Sequence, residues 1–171
     1  SLLLEGIPST KIHITGNTVI DALYQARDIV ENDLRITKSF YERYPIFNDE
    51  KKIILVTAHR RENIGSGISG ICDALLELNE KLPGHHIILP SHPNPLVREH
   101  FLAKLGGVDG ISVLPPFDYI DFVIAMKNTT IILTDSGGIQ EEAPSFNIPV
   151  LVLREVTERP EAVSSGTALL V

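Results

Sequence analysis

From residue 51 onward the chain repeats one phrase: four or five apolar residues, then about ten residues with apolar positions at helical spacing. The apolar runs at 53–57, 86–90, 111–114, 131–134, 150–153 and 168–171 have the length of strands. They do not alternate with polar residues, which marks strands buried on both faces. Between the first two, Ile71, Leu75, Leu78 and Leu82 share one side of a predicted helix over 68–82, and Pro83-Gly84 stops it. Further helices are predicted over 95–105, from Asp118 or Tyr119 through Met126, directly after Gly138, and over 158–164. Short strands alternating with helices specify βαβ units. The expected class is therefore α/β: a Rossmann-like parallel sheet with helices on both faces.

The first fifty residues are less regular. Lys11-Ile12-His13-Ile14-Thr15 alternates and predicts a strand. Gly16-Asn17-Thr18 then reads as a turn in which Asn17 or Thr18 caps a helix over 18–31, carried by Val19, Leu23, Ala26 and Val30. Residues 32–50 are polar and read as irregular, with one helical turn over 39–44. Residues 1–6 read as a helix already ending at Gly6, and the last strand has nothing after it. One part of a longer chain is the expectation.

A length of 171 residues suits one domain, or one lobe of a larger protein. A net charge of −7 argues against nucleic acid or an anionic membrane as the main partner, though not against a local cationic site. The single cysteine, Cys72, excludes an internal disulfide and a multi-cysteine zinc site, and its apolar helical setting predicts burial. No HExxH or Cys/His cluster suggests a metal, and no cofactor is implied. No apolar run approaches the ~18 residues that span a bilayer, and no secretory pattern opens the chain, so a cytoplasmic address is expected.

In an open parallel sheet, ligands bind beyond the carboxyl ends of the strands, so the residues after each strand are the ones to search. Asp135-Ser136-Gly137-Gly138 follows the fourth strand and leads into a helix. Backbone N–H groups of Ser136, Gly137 and Gly138, with the positive end of the helix dipole, favour an anion there. Glycine lets that anion come close to the main chain. In the helix that follows, Ile139, Ala143 and Phe146 form the apolar stripe; Glu142 lies near its arc, and Glu141 on the far side reads as a solvated charge. A carboxylate near the interior is costly without partners. Glu142 lies ~9 Å along the axis from Ser136 at the helical rise, a spacing that suits the hydroxyls of a ribose whose phosphate sits at the helix start. A salt bridge is the alternative. Pro144 is expected to kink or shorten this helix.

Other strand mouths add cationic and aromatic groups. His59, Arg60 and Arg61 follow the first strand and can neutralise a diphosphate; His59, nearest the strand end, can also give a proton to a leaving phosphate oxygen. A solvated charged loop is as good a reading of the two arginines. His92 follows the second strand in a proline-stiffened turn. Pro115-Pro116-Phe117-Asp118-Tyr119 follows the third, offering either a face for a flat base or core packing. Arg159 follows the fifth; it can reach an anion in the crevice or pair with Glu158 or Glu161, and Thr157 is placed to cap the next helix. There is no GxGxxG, GxxxxGK[ST] or GxSxG signature. The residues alone specify a crevice for a diphosphate and a ribose, as in a nucleotide or nucleotide sugar.

Five ordered motifs carry a resemblance. They are Thr15-Gly16-Asn17-Thr18-Val19-Ile20-Asp21-Ala22-Leu23, His59-Arg60-Arg61-Glu62-Asn63, His92-Pro93-Asn94-Pro95, Asp135-Ser136-Gly137-Gly138-Ile139-Gln140-Glu141-Glu142-Ala143-Pro144, and Thr157-Glu158-Arg159-Pro160-Glu161-Ala162. Together they resemble the non-hydrolysing UDP-N-acetylglucosamine 2-epimerases over almost the whole chain. The resemblance implies the carboxy-terminal, nucleotide-binding lobe of a two-lobe enzyme of the GT-B type, with residues 1–171 forming that lobe. It implies interconversion of UDP-GlcNAc and UDP-ManNAc by elimination and re-addition of UDP, in a cytoplasmic homodimer that serves polysaccharide biosynthesis. It assigns Ser136, Gly137 and Gly138 to the phosphates, Glu142 to the ribose, and His59 (as the catalytic histidine) and Arg159 to the diphosphate side. Uracil is expected near residues 116–122, with Phe117 and Phe122 as its contacts. Arg60 and His92 match positions that contact a second, allosteric nucleotide sugar in regulated members. The acid and base carboxylates belong to the other lobe. A GT-B glycosyltransferase, or a UDP-binding module without chemistry, would use the same crevice.

Overall fold

The computed structural model describes residues 2–58, 66–92 and 94–171. Six strands form one parallel sheet: β1 (Lys52–Thr57), β2 (His85–Pro90), β3 (Ile111–Leu114), β4 (Thr129–Thr134), β5 (Val150–Val152) and β6 (Ala168–Leu170). Their order is β3-β2-β1-β4-β5-β6, so the chain winds outward one way from β1 and the other way from β4. β1 and β4 therefore flank the switch point, where such sheets open a crevice. The pair is tied at its carboxyl end, where the Thr57 and Thr134 hydroxyls hydrogen bond at 2.6 Å and Asp135 N–H donates to the Thr57 carbonyl at 3.1 Å.

Successive strand residues point to opposite faces, so an unbroken apolar run supplies two cores at once. Ile54, Val56, Ile87, Leu89 and Leu133 pack against α3 (Ser66–Lys81) and α4 (Pro95–Leu105). Ile53, Leu55, Ile88, Ile132 and Val150 pack on the other face against α1 (Thr18–Asn32), α2 (Leu34–Arg43), α5 (Tyr119–Lys127) and α6 (Gly137–Glu142). A last helix, α7 (Pro160–Ser164), joins β5 to β6. Cys72 is fully buried on α3, and burial pushes its thiol pKa up.

The amino-terminal expectations need correction. No strand forms over 11–15. A 3₁₀ turn at Ser9–Lys11 gives way to a chain whose Ile14 is 97% exposed. Alternation needs a sheet edge and a buried face to become a strand, and this segment has neither; Gly16 then turns the chain in left-handed backbone (φ +78°). Residues 2–6 form hydrogen-bonded turns, Glu5 N–H to Leu2 and Gly6 N–H to Leu3, and not the end of a helix. Asn17 is the α1 cap, its Oδ1 accepting from Val19 N–H at 3.0 Å.

Residues 32–50 are largely helical, as α2 followed by a 3₁₀ turn at Pro45–Asn48. Their polar text hides one apolar residue per turn. Phe40 is fully buried and meets Tyr41, Tyr44, Phe47 and Phe117 at centroid distances of 4.9–6.1 Å. Arg43 donates two hydrogen bonds to the buried Asp121 carboxylate, clamping α2 to α5. At Pro144 the α6 helix does shorten: it ends at Glu142 and continues as a 3₁₀ turn, Ala143–Phe146, closed by Asn147 in left-handed backbone (φ 58°).

Candidate functional site

The carboxyl ends of β1, β2 and β3 open into a cavity of about 280 Å³. Thr57 and Ala58 line it from β1, Ser91 and His92 from β2, Pro116 and Phe117 from the segment after β3. Tyr119 and Phe122 enter from the first turn of α5, and Ile139 and Glu142 from α6. The Asp118 side chain caps α5 by accepting from Asp121 N–H at 2.8 Å, which sets where Tyr119 and Phe122 start. Phe117 packs on the core, its ring edge-on to Tyr44 at 4.8 Å, and also lines the cavity.

Glu142 is 7% exposed, and its Oε1 accepts from the Tyr119 hydroxyl at 2.8 Å. Among the described residues no Arg or Lys pairs with it. Burial raises the Glu142 pKa and neighbouring Glu141 adds to this, while the Tyr119 hydrogen bond opposes it. The Tyr119 phenol is pushed up to about 12, chiefly by burial and then by donating to Glu142.

Next to this cavity lies the start of α6. Ser136 holds the N-cap position, but its backbone N–H is not available as expected: it donates to Thr134 Oγ1 at 2.9 Å. The first-turn N–H groups of Gly137 and Gly138 have no acceptor within the helix, and these, with the Ser136 hydroxyl, are what the turn can offer an anion. Arg159 stands against this turn; a Cβ placed on Gly137 would lie 3.8 Å from its guanidinium. Its Nε donates to Glu141, and Glu141 also accepts from Asn17 Nδ2. Glu141 is thus not the solvated charge that helix phase suggested. Phase identifies the core side of a helix, and here the opposite side faces two other loops.

A buried network missed in the sequence holds the two halves of this anion site together. Gln140, 1% exposed, donates from Nε2 to the Ser136 carbonyl at 3.1 Å and accepts from the Thr157 hydroxyl at 2.5 Å. Thr157 Oγ1 in turn accepts from Arg159 N–H at 3.0 Å; it does not cap α7, whose N-cap is Arg159 itself. Arg154 Nε donates to the Asp135 carbonyl at 2.7 Å from beneath the turn. Gln140 flanks the apolar stripe of α6 on the side opposite Glu142, so the same phase argument was able to find it.

The structure thus brings Ser136, Gly137, Gly138, Glu142, Phe117, Phe122 and Arg159 to one end of the sheet. His92 joins them at the cavity wall, its Nδ1 accepting from Asn94 N–H at 3.1 Å. His59 and Arg60 lie outside the described residues. Ser91 adds a buried hydroxyl that finds no partner among the described residues. No group of three or more His, Cys, Asp or Glu among the described residues could hold a metal, and no described helix is long and apolar enough to cross a membrane.

Comparison with known proteins identifies the family. Residues 1–171 match the family model described as UDP-N-acetylglucosamine 2-epimerase. A UDP-N-acetylglucosamine 2-epimerase of Yersinia pestis is 51% identical over 171 residues, covering the whole chain and 46% of that relative. The crystal structure of the Neisseria meningitidis UDP-GlcNAc 2-epimerase bound to UDP-GlcNAc superposes with a TM-score of 0.92 at 49% identity, over 99% of this chain and 46% of that one. The Methanocaldococcus jannaschii enzyme in complex with UDP-GlcNAc and UDP gives 0.82 at 36% identity, over 99% and 46%. The chain therefore spans about half the length of the relatives it matches.

Proposed function

The chain belongs to the UDP-N-acetylglucosamine 2-epimerase family, and on that premise we propose that it is the UDP-holding lobe of an enzyme interconverting UDP-GlcNAc and UDP-ManNAc. The observation that carries the reading is the placement of α6, which starts at Gly137 and Gly138 beside Arg159 and sends Ile139 and Glu142 into the cavity walled by Phe117 and Phe122. Diphosphate goes to the turn and Arg159, ribose to Glu142, uracil to the aromatic end.

In the forward direction a base removes the proton from C2 while the C1–O bond breaks. The products are a 2-acetamidoglucal and UDP. Return of UDP to C1, with a proton delivered to the other face of C2, inverts that centre. This lobe's part is to receive the charge that develops on the β-phosphate. Preorganised N–H donors and a guanidinium are suited to that, because they need no reorganisation as the bond breaks. The proton chemistry at C2 falls to carboxylates of a second lobe. The same reading makes the full-length protein a cytoplasmic homodimer, with His59 as the proton donor to the leaving phosphate.

The test is to incubate the full-length protein with UDP-GlcNAc in D₂O and follow it by NMR. Deuterium at C2 together with UDP-ManNAc is expected. Intact, unexchanged UDP-GlcNAc sinks the proposal, and sugar transfer to an added acceptor points to a glycosyltransferase instead.

A further inference from the structure

Tyr119 is 43% exposed, so its ring contributes little to the core. Its hydroxyl donates to Glu142, a carboxylate that is 7% exposed. Both side chains line the same cavity, and they come from different elements, α5 and α6. The hydrogen bond takes one oxygen, Oε1, at 2.8 Å and restrains the carboxylate's rotation. A carboxylate with one oxygen held from the side presents the other in a fixed direction. The lone pairs that Tyr119 leaves free can accept two vicinal hydroxyls, and a pre-oriented carboxylate does so with less to reorganise.

We infer that Tyr119 is a positioning residue: it fixes the Glu142 carboxylate to receive the ribose hydroxyls, and so makes the site select ribonucleotides over 2′-deoxyribonucleotides. This rests on the reading of the cavity as a UDP site. Glu142 supplies the acceptor, and Tyr119 supplies its orientation. Without the phenol the carboxylate turns about its last torsion, which is broad and poorly restrained. The advantage of the second hydroxyl is then largely lost.

The experiment is calorimetry on the full-length protein and its Tyr119→Phe variant, with UDP and 2′-deoxy-UDP as probes. Wild type is expected to prefer UDP. In Tyr119→Phe, UDP affinity should fall about 3- to 10-fold, the worth of one hydrogen bond, while 2′-deoxy-UDP changes little, so the preference shrinks. The pH profile gives a second readout. The Tyr119 hydrogen bond lowers the Glu142 pKa against burial and the nearby Glu141 charge. Its removal should move the acid limb of UDP binding to higher pH. His92, the other titratable group among the described residues lining the cavity, is the same in both proteins and cancels in the comparison. Equal weakening for both probes with an unmoved acid limb would show a merely structural tyrosine and overturn the inference. An undiminished preference for UDP in the variant would also overturn it. Wild type that takes UDP and 2′-deoxy-UDP alike would remove Glu142 from the ribose, overturning the reading beneath.

Discussion

Glu142→Gln should separate stability from binding, because the two respond to its charge with opposite sign. The carboxylate is almost wholly buried and its pKa is raised, first by burial. A folded-state pKa above the unfolded value means the folded form binds the proton more readily. Stability therefore falls as pH rises from the usual carboxylate range through the raised pKa, and at neutral pH the charge is a cost. Glutamine keeps an acceptor for Tyr119 at nearly the same volume and removes that cost. Thermal stability at pH 7 should be equal to wild type or higher. Ligand binding should go the other way. A hydrogen bond to a charged group contributes about 1.5–3 kcal/mol and a neutral one about 0.5–1.5, so two ribose hydroxyls together lose about 2 kcal/mol. That is about 30-fold in the dissociation constant for UDP. Calorimetry and a thermal melt on the same preparation give both numbers. A variant that melts lower and binds UDP as before would refute the reasoning, since Glu142 would then be a structural carboxylate.

Four further outcomes follow from the same geometry. Gly137→Ala should leave the melting temperature within a few degrees, because the new Cβ meets Arg159 only at an ordinary 3.8 Å, yet weaken UDP if the diphosphate approaches the main chain; calorimetry decides. Arg159→Ala should cost at most about 1 kcal/mol of stability, since its pair with Glu141 is part-exposed, while UDP loses affinity and uridine does not. Arg43→Met strands the buried Asp121 carboxylate; with Arg43 itself nearly half exposed, denaturant unfolding should show a loss of about 1–3 kcal/mol. Ser91→Ala removes a buried hydroxyl with no described partner, so stability should hold or rise slightly; a loss above about 1 kcal/mol would mean that the hydroxyl is bonded after all.

The sheet was legible because its strands are buried on both sides. Ile54 and Leu55 serve opposite cores, so both must be apolar, and an unbroken run at strand length has few other readings. The segment over 11–15 shows the limit of that logic: its alternation is genuine, but pairing depends on a free sheet edge, which no local pattern encodes. Helix α2 was missed for the opposite reason. Its helical stripe is narrow, with Phe40 alone fully buried, and it is held by an aromatic cluster whose members come from distant parts of the chain. In the site, helix phase was enough to find Glu142 because burial is a property of one helix. The partners of Glu141 were hidden, since Asn17 lies 124 residues away and Arg159 across a loop. The N–H of Ser136 was misjudged because a neighbouring threonine side chain had already taken it.

A structure of the full-length protein with UDP bound bears most directly on the central claim. The β-phosphate is expected within about 2.7–3.2 Å of the Gly137 and Gly138 N–H groups and of the Arg159 guanidinium, with the ribose on Glu142 and uracil against Phe117 and Phe122. UDP found elsewhere on the protein, or held with Glu142 still bonded only to Tyr119, would contradict it.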